Sequence, residues 1–178
     1  MTKAVFFSRD GTLTNFVERS NGEMTSPYCM EEFSFIPGAQ TAVEICRDLD
    51  YATFVVTNQP GVYEGNILGN ELAKMMRMCL EIGIHDALVA FERGSAWYKP
   101  HNGMIETLVR RYKIDRSQSF MVGDRWKDIV AGHKSKLTTI FVGNEYFTPE
   151  KYKHIQPDFI VHSTLHAACF IEELSQDE

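Results

Sequence analysis

Four apolar residues, Ala4 to Phe7, run without interruption and then stop in Ser8, Arg9, Asp10, Gly11 and Thr12. A short apolar segment cut off by turn residues is the pattern of a strand buried on both faces, as in a parallel sheet covered by helices. Asp-Gly is also an ordinary loop signal, so this stretch alone leaves a plain turn and a functional site equally open. Recurrence narrows the choice. Ala52 to Val56 ends in Thr57, Asn58, Gln59, Pro60 and Gly61, and Asp86 to Phe91 runs into a loop carrying Trp97, Tyr98 and Lys99. Ser119 to Val122 then delivers Gly123, Asp124 and Arg125, with Asp128 one helical turn on. Thr138 to Val142 and Asp158 to Val161 read as fifth and sixth strands.

Helical patterns separate these runs. Pro37 and Gly38 open an amphipathic helix with Ala42, Val43, Ile45, Cys46 and Leu49 on one face, and a second helix covers about Leu68 to Ile82. Further helices begin at Asn102 and Gly103, pass through Ile129 to Ala131, and run from a capping Thr164 to Leu174. The alternation predicts an α/β fold, a Rossmann-like doubly wound parallel sheet, with residues 1–178 forming a single domain. Thr14 to Pro37 is polar and irregular. A structureless loop of that length is uncommon unless it covers a site, so 14–37 is expected to be a substrate-facing loop.

Strand ends on the carboxyl edge of such a sheet are where ligands gather. Here they offer Ser8 and Asp10, Thr57 and Asn58, Lys99, and Asp124 with Asp128. A cation, hydroxyl and amide groups, and carboxylates suited to a hard metal are what a phosphoryl group and Mg2+ require. The formal net charge of -6 and the absence of a Lys/Arg cluster argue against nucleic acid as a partner. No apolar run is long enough to span a bilayer and the start lacks a secretory pattern, so a cytoplasmic protein without a membrane partner is expected. Cys29, Cys46, Cys79 and Cys169 are scattered without a CxxC pair and are expected to be reduced.

The ordered motifs FFSRDGT, VVTN, YKP and MVGDRWKD resemble those of the haloacid dehalogenase superfamily, over nearly the whole chain. RDGTL, TNQPG, KPHNGM and VGDRxxD look like its small branch without a large cap, which contains heptose bisphosphate and histidinol-phosphate phosphatases. The resemblance implies Mg2+-dependent hydrolysis of a small sugar phosphate, a heptose bisphosphate above all, by a monomer. It makes Ser8 the counterpart of the nucleophilic Asp and Asp10 the general acid and base. Thr57, Asn58 and Lys99 would bind phosphate; Ser8, the Asp10 carbonyl and Asp124 would hold the metal, with Asp128 in support.

Three departures qualify the resemblance. The segment His85 to Lys99 has no cysteine, so a structural zinc is not expected. Relatives commonly carry arginines after the TNQxG turn and before the lysine, where Tyr63, Glu64 and Tyr98 stand here. Most consequential is Ser8 at the nucleophile's position. Three readings of it remain open: a phosphatase changed from Asp at position 8, a pseudo-enzyme that binds a phosphometabolite or a protein without turnover, and an active variant using Ser8 or a metal-activated water.

Overall fold

The computed structural model describes residues 2–146 and 148–176. Six parallel strands form one sheet: β1 (Ala4–Phe7), β4 (Ala52–Asn58), β5 (Asp86–Ala90), β6 (Phe120–Gly123), β7 (Thr138–Val142) and β8 (Phe159–Val161). Their order is β5-β4-β1-β6-β7-β8. The chain therefore builds outward on one side of β1, then crosses back and builds outward on the other. That reversal opens a crevice at the carboxyl end of β1, which is where Ser8 to Thr12 emerge.

The side-chain period of two explains why β1 is apolar throughout. Val5 and Phe7 pack with Ala42, Val43 and Cys46 of α1 (Ala39–Asp48) and with Ala167, Ala168 and Ile171 of the C-terminal helix Thr164–Gln176. Ala4 and Phe6 face the opposite layer, built by Met104, Ile105 and Leu108 of the helix Gly103–Tyr112 and by Ala131 of the helix Trp126–Lys134. All four β1 residues are fully buried. Each of these helices carries one apolar stripe, and among the described residues no large cap stands above the sheet.

Local details differ from the sequence reading in three places. Within 14–37 lie two short antiparallel strands, β2 (Val17–Glu18) and β3 (Met24–Thr25), and a 3-10 turn at Met30–Glu32. Strands of two residues carry no readable alternation. Pro60–Tyr63 forms a short helix, α2, directly after β4, and Gly69–Glu81 forms α3. The final helix is capped by Ser163, whose hydroxyl accepts from the His166 amide. Thr164 instead turns inward, fully buried, and donates to the Thr12 carbonyl, tying that helix to the turn after β1. With α4 (Gly103–Tyr112), α5 (Trp126–Lys134) and α6 (Thr164–Gln176), the described residues contain no helix long and apolar enough to cross a membrane.

Candidate active site

The turn after β1 is wound around the Arg9 carbonyl, which accepts from the amides of Thr12, Leu13 and Thr14. Gly11 sits in it at φ +82°, a conformation that favours glycine. A Cβ there would lie 2.2 Å from Asp124 Oδ2 and 2.4 Å from the Phe16 ring. Glycine thus lets the first strand's turn close onto the fourth motif's carboxylate, and Thr12 completes the contact by donating to Asp124 Oδ1 at 2.9 Å. Gly11→Ala should cost about 1–3 kcal/mol from backbone strain alone, and more from the clash; urea unfolding measures it, and an unchanged midpoint would refute the close approach.

Lys99 is the hub of the buried base. Its ammonium donates to Ser8 Oγ at 3.1 Å and to the Val56 carbonyl at 2.6 Å, and it pairs with Asp128 Oδ1 at 2.6 Å. Three donors are thereby filled. The second Asp128 oxygen accepts from the Arg125 amide at 3.0 Å, at the start of α5. Asp128 is 2 % exposed, so it is a buried partner of Lys99 rather than a solvated carboxylate. Asn58 commits its amide to the Lys99 backbone, accepting from the Lys99 N–H and donating to the Lys99 carbonyl, both at 2.9 Å. It acts as the strut that holds the lysine's loop to β4. Buried Thr57 accepts from Gln59 Nε2 at 2.9 Å.

Asp10 is held differently. Arg9, fully buried, forks onto both its oxygens at 2.8 and 3.0 Å. Thr14 donates at 2.9 Å, and Ser26 and Gln59 each at 2.7 Å. Burial by itself would push the Asp10 carboxyl up. The Arg9 charge and the hydrogen bonds of Arg9, Gln59 and Ser26 outweigh it and hold the group below the ordinary carboxylate range. Gln59 is consistent with an ionised Asp10: its amide nitrogen serves two acceptors while its carbonyl oxygen lies buried without a partner. Asp124 is in the opposite state, pushed up to about 7 by burial and then by the charge of Asp128, against the pull of the Thr12 hydrogen bond.

Arg9, Gln59 and Ser26 were absent from the sequence-derived set. An arginine in a polar turn reads as solvent-facing, and nothing in the sequence signals that it folds back on its neighbour. Ser26 arrives from the β2–β3 hairpin, where Arg19 forks onto Glu32 at 2.6 and 2.8 Å and stacks 3.8 Å over the Tyr28 ring. The Arg19 hydrogen bond, then that of the Tyr28 amide, lower the Glu32 carboxyl. A lowered carboxylate contributes stability that is present above its ordinary value of 4.5 and lost as pH falls through the folded value. Acidification below that value should therefore speed hydrogen exchange at the Tyr28 amide, and Glu32→Gln should remove the pH dependence. An equal acid response in both chains would count against this hold on the hairpin.

Ser8, Asp10, Thr57, Asn58, Lys99 and Asp128 line one pocket of about 340 Å3, whose walls also include the hairpin residues Glu23 to Ser26 and Tyr98. Asp124 stands behind the Gly11 turn. For a hard divalent cation the atoms are of the right type, with a carboxylate at Asp124, a hydroxyl at Ser8 and the Asp10 carbonyl. The set is poor in charge, because Ser8 contributes none. Among the described residues no group of three or more His, Cys, Asp or Glu side chains is placed to hold a metal.

The doubly wound sheet thus brings a buried lysine, a strand-end threonine and carboxylates together on its carboxyl edge. A HAD-hydrolase-like family model matches residues 96–167. The chain is 28% identical over 153 residues to D-glycero-beta-D-manno-heptose-1,7-bisphosphate 7-phosphatase of Pasteurella multocida, covering 77% of this chain and 79% of that one. With the Helicobacter pylori protein of the same name it shares 27% over 163 residues, 84% and 90% of the two chains. The fold matches D,D-heptose 1.7-bisphosphate phosphatase from B. bronchiseptica, solved with magnesium and phosphate, at a TM-score of 0.76 and 20% identity over 99% and 100% of the chains. In sequence the chain is thus similar to haloacid-dehalogenase-type phosphatases, and it shares their fold.

Proposed function

We propose that the pocket binds a small sugar phosphate, a heptose bisphosphate by the names of its relatives, in a phosphomonoester hydrolase site whose turnover is depressed by Ser8. The observation that carries this reading is the 3.1 Å contact of Lys99 Nζ with Ser8 Oγ, which sets residue 8 against a buried cation suited to a phosphoryl oxygen. Asp124, Ser8 and the Asp10 carbonyl would hold Mg2+, which when bound neutralises phosphate charge. Thr57 and Lys99 bind and orient the phosphoryl group, with the contact to Lys99 replacing one of its three present acceptors. Asp10 stands ready to hold a proton at its carboxylate, but as described it is fully hydrogen-bonded and ionised.

A serine hydroxyl in place of a carboxylate is protonated at neutral pH and adds no charge to the cation site. Attack through it would yield a phosphate ester rather than a reactive acyl phosphate, so the second half of the reaction would stall. The combination of Ser8 with a saturated Asp10 also supports a second reading, a pseudo-phosphatase that binds its ligand without releasing phosphate. Phosphate release from a panel of sugar phosphates with Mg2+, measured for this chain and for Ser8→Asp, separates the two. Equal activity in both would refute position 8 as the nucleophile's place; inactivity of Ser8→Asp on every member would favour the binding role.

A further inference from the structure

The carboxyl edge of the sheet carries a second group of side chains, outside the pocket. Asn144 follows β7, His162 follows β8, and His166 lies on the first turn of α6. All three are exposed, and none lines the pocket that holds Ser8 and Lys99. The His162 and His166 rings stand with their centroids 6.3 Å apart and their planes inclined at 56°. His162 Nδ1 lies 3.1 Å from Asn144 Oδ1. An amide oxygen only accepts, so this contact fixes the proton on Nδ1 and leaves Nε2 as the free lone pair of His162. Among the described residues the His166 ring makes neither a hydrogen bond nor an ion pair, and the ring beside it is that of His162.

We propose that His162 and His166, with Asn144 orienting the first ring, form a binding site for a borderline divalent transition ion of the Zn2+, Ni2+ or Cu2+ class. Two imidazoles held to one ion through nitrogens at about 2.0–2.1 Å place their centroids about 5–6 Å apart, so the pair needs to close by about 1 Å. Small χ rotations of exposed side chains supply that movement. A metal-bound imidazole is aimed, and its tautomer set, by an oxygen that accepts from its other nitrogen. Asn144 already makes that bond. Neutral imidazole favours this class of ion over Mg2+, which takes oxygen ligands, and water fills the remaining coordination positions. The site also has a mechanical consequence. β8 is an edge strand of three residues paired with β7 alone, and an ion between His162 and His166 ties its end to α6. On that helix Thr164 is buried and donates to the Thr12 carbonyl in the turn after β1. Occupancy therefore braces the outer edge of the sheet without drawing a ligand from the phosphate pocket.

The test is calorimetric titration of the whole chain with Ni2+, with and without excess Mg2+, repeated for His162→Ala, His166→Ala, Asn144→Ala and Asp124→Asn. The intact chain should bind a single Ni2+ with a Kd of about 1–200 µM, from roughly half the binding free energy of a four-ligand site. Excess Mg2+ should leave that affinity unchanged. Each histidine variant should weaken it by about tenfold or more and Asn144→Ala by about tenfold, whereas Asp124→Asn, beside the pocket, should alter it by less than about twofold. Saturating Ni2+ should raise the melting temperature of the intact chain and leave that of His166→Ala where it was. Both histidines are exposed, so the metal-free variants should melt within a few degrees of the intact chain, and lost binding then reports lost ligands rather than a lost fold. No Ni2+ binding by the intact chain, an affinity untouched in both histidine variants, or binding lost only in Asp124→Asn would overturn the site.

Discussion

Ser8→Asp should raise Mg2+-dependent phosphate release from a cognate sugar phosphate by about 10⁴-fold or more, the scale on which a nucleophile acting within a catalytic unit contributes. The physical reasons are concentrated at one atom. Ser8 Oγ is 3.1 Å from Lys99 Nζ, so a carboxylate there would face an ammonium that favours its ionised form. It would also add a second negative ligand next to Asp124 and make the cation site one that Mg2+ can occupy at modest concentration. Aspartyl phosphate, once formed, is an acyl phosphate that water can cleave. Single-turnover phosphate release with and without Mg2+ measures the gain. A gain below about tenfold would mean that the five hydrogen bonds on Asp10, and not position 8, limit this site.

Removing Asp128 should be the most destabilising single change in the site. Lys99 and Asp128 are 3 % and 2 % exposed and 2.6 Å apart, and breaking a buried pair from one side typically costs about 3–5 kcal/mol, because it leaves an uncompensated charge. Asp128→Ala also deprives the Arg125 amide of its acceptor at the start of α5. The companion double variant Lys99→Met/Asp128→Leu removes both charges and should recover most of the loss. Urea unfolding of the three chains gives the comparison. A cost below about 1 kcal/mol for Asp128→Ala would show that water reaches the pair as freely as at a surface salt bridge.

The sheet and the residues at its carboxyl edge were legible for one reason. Parallel strands are buried on both faces, so β1, β4 and β6 stand out as apolar runs, and each ends in the side chains it delivers. The turn types, the helix stripes and the position of Lys99 before Pro100 follow from local chemistry. Long-range partnering was not legible. Arg9 bent onto Asp10, Gln59 bridging Asp10 to Thr57, and Ser26 reaching in from a hairpin of two-residue strands are set by tertiary packing, and each involves a residue type usually found in water. Asn58 shows the converse: a strand-end amide suited to a phosphate instead braces the loop that carries the lysine.

The position of β1 also governs how the molecule assembles. It precedes the other strands of its sheet in sequence, yet it is central in the sheet, and one of its neighbours, β6, is more than a hundred residues away: the Ala4 amide donates to the Ser119 hydroxyl across a separation of 115 residues. Local helices and the β4–β5 side can form early, but the strand that carries Ser8 and Asp10 stays open along one edge until Phe120–Gly123 is made. Such distant pairing slows folding and leaves an apolar edge waiting for its partner. The crevice at the carboxyl end of β1 is consequently incomplete until β6 pairs, and a nascent chain that stops short of β6 has a core strand with one side unfilled.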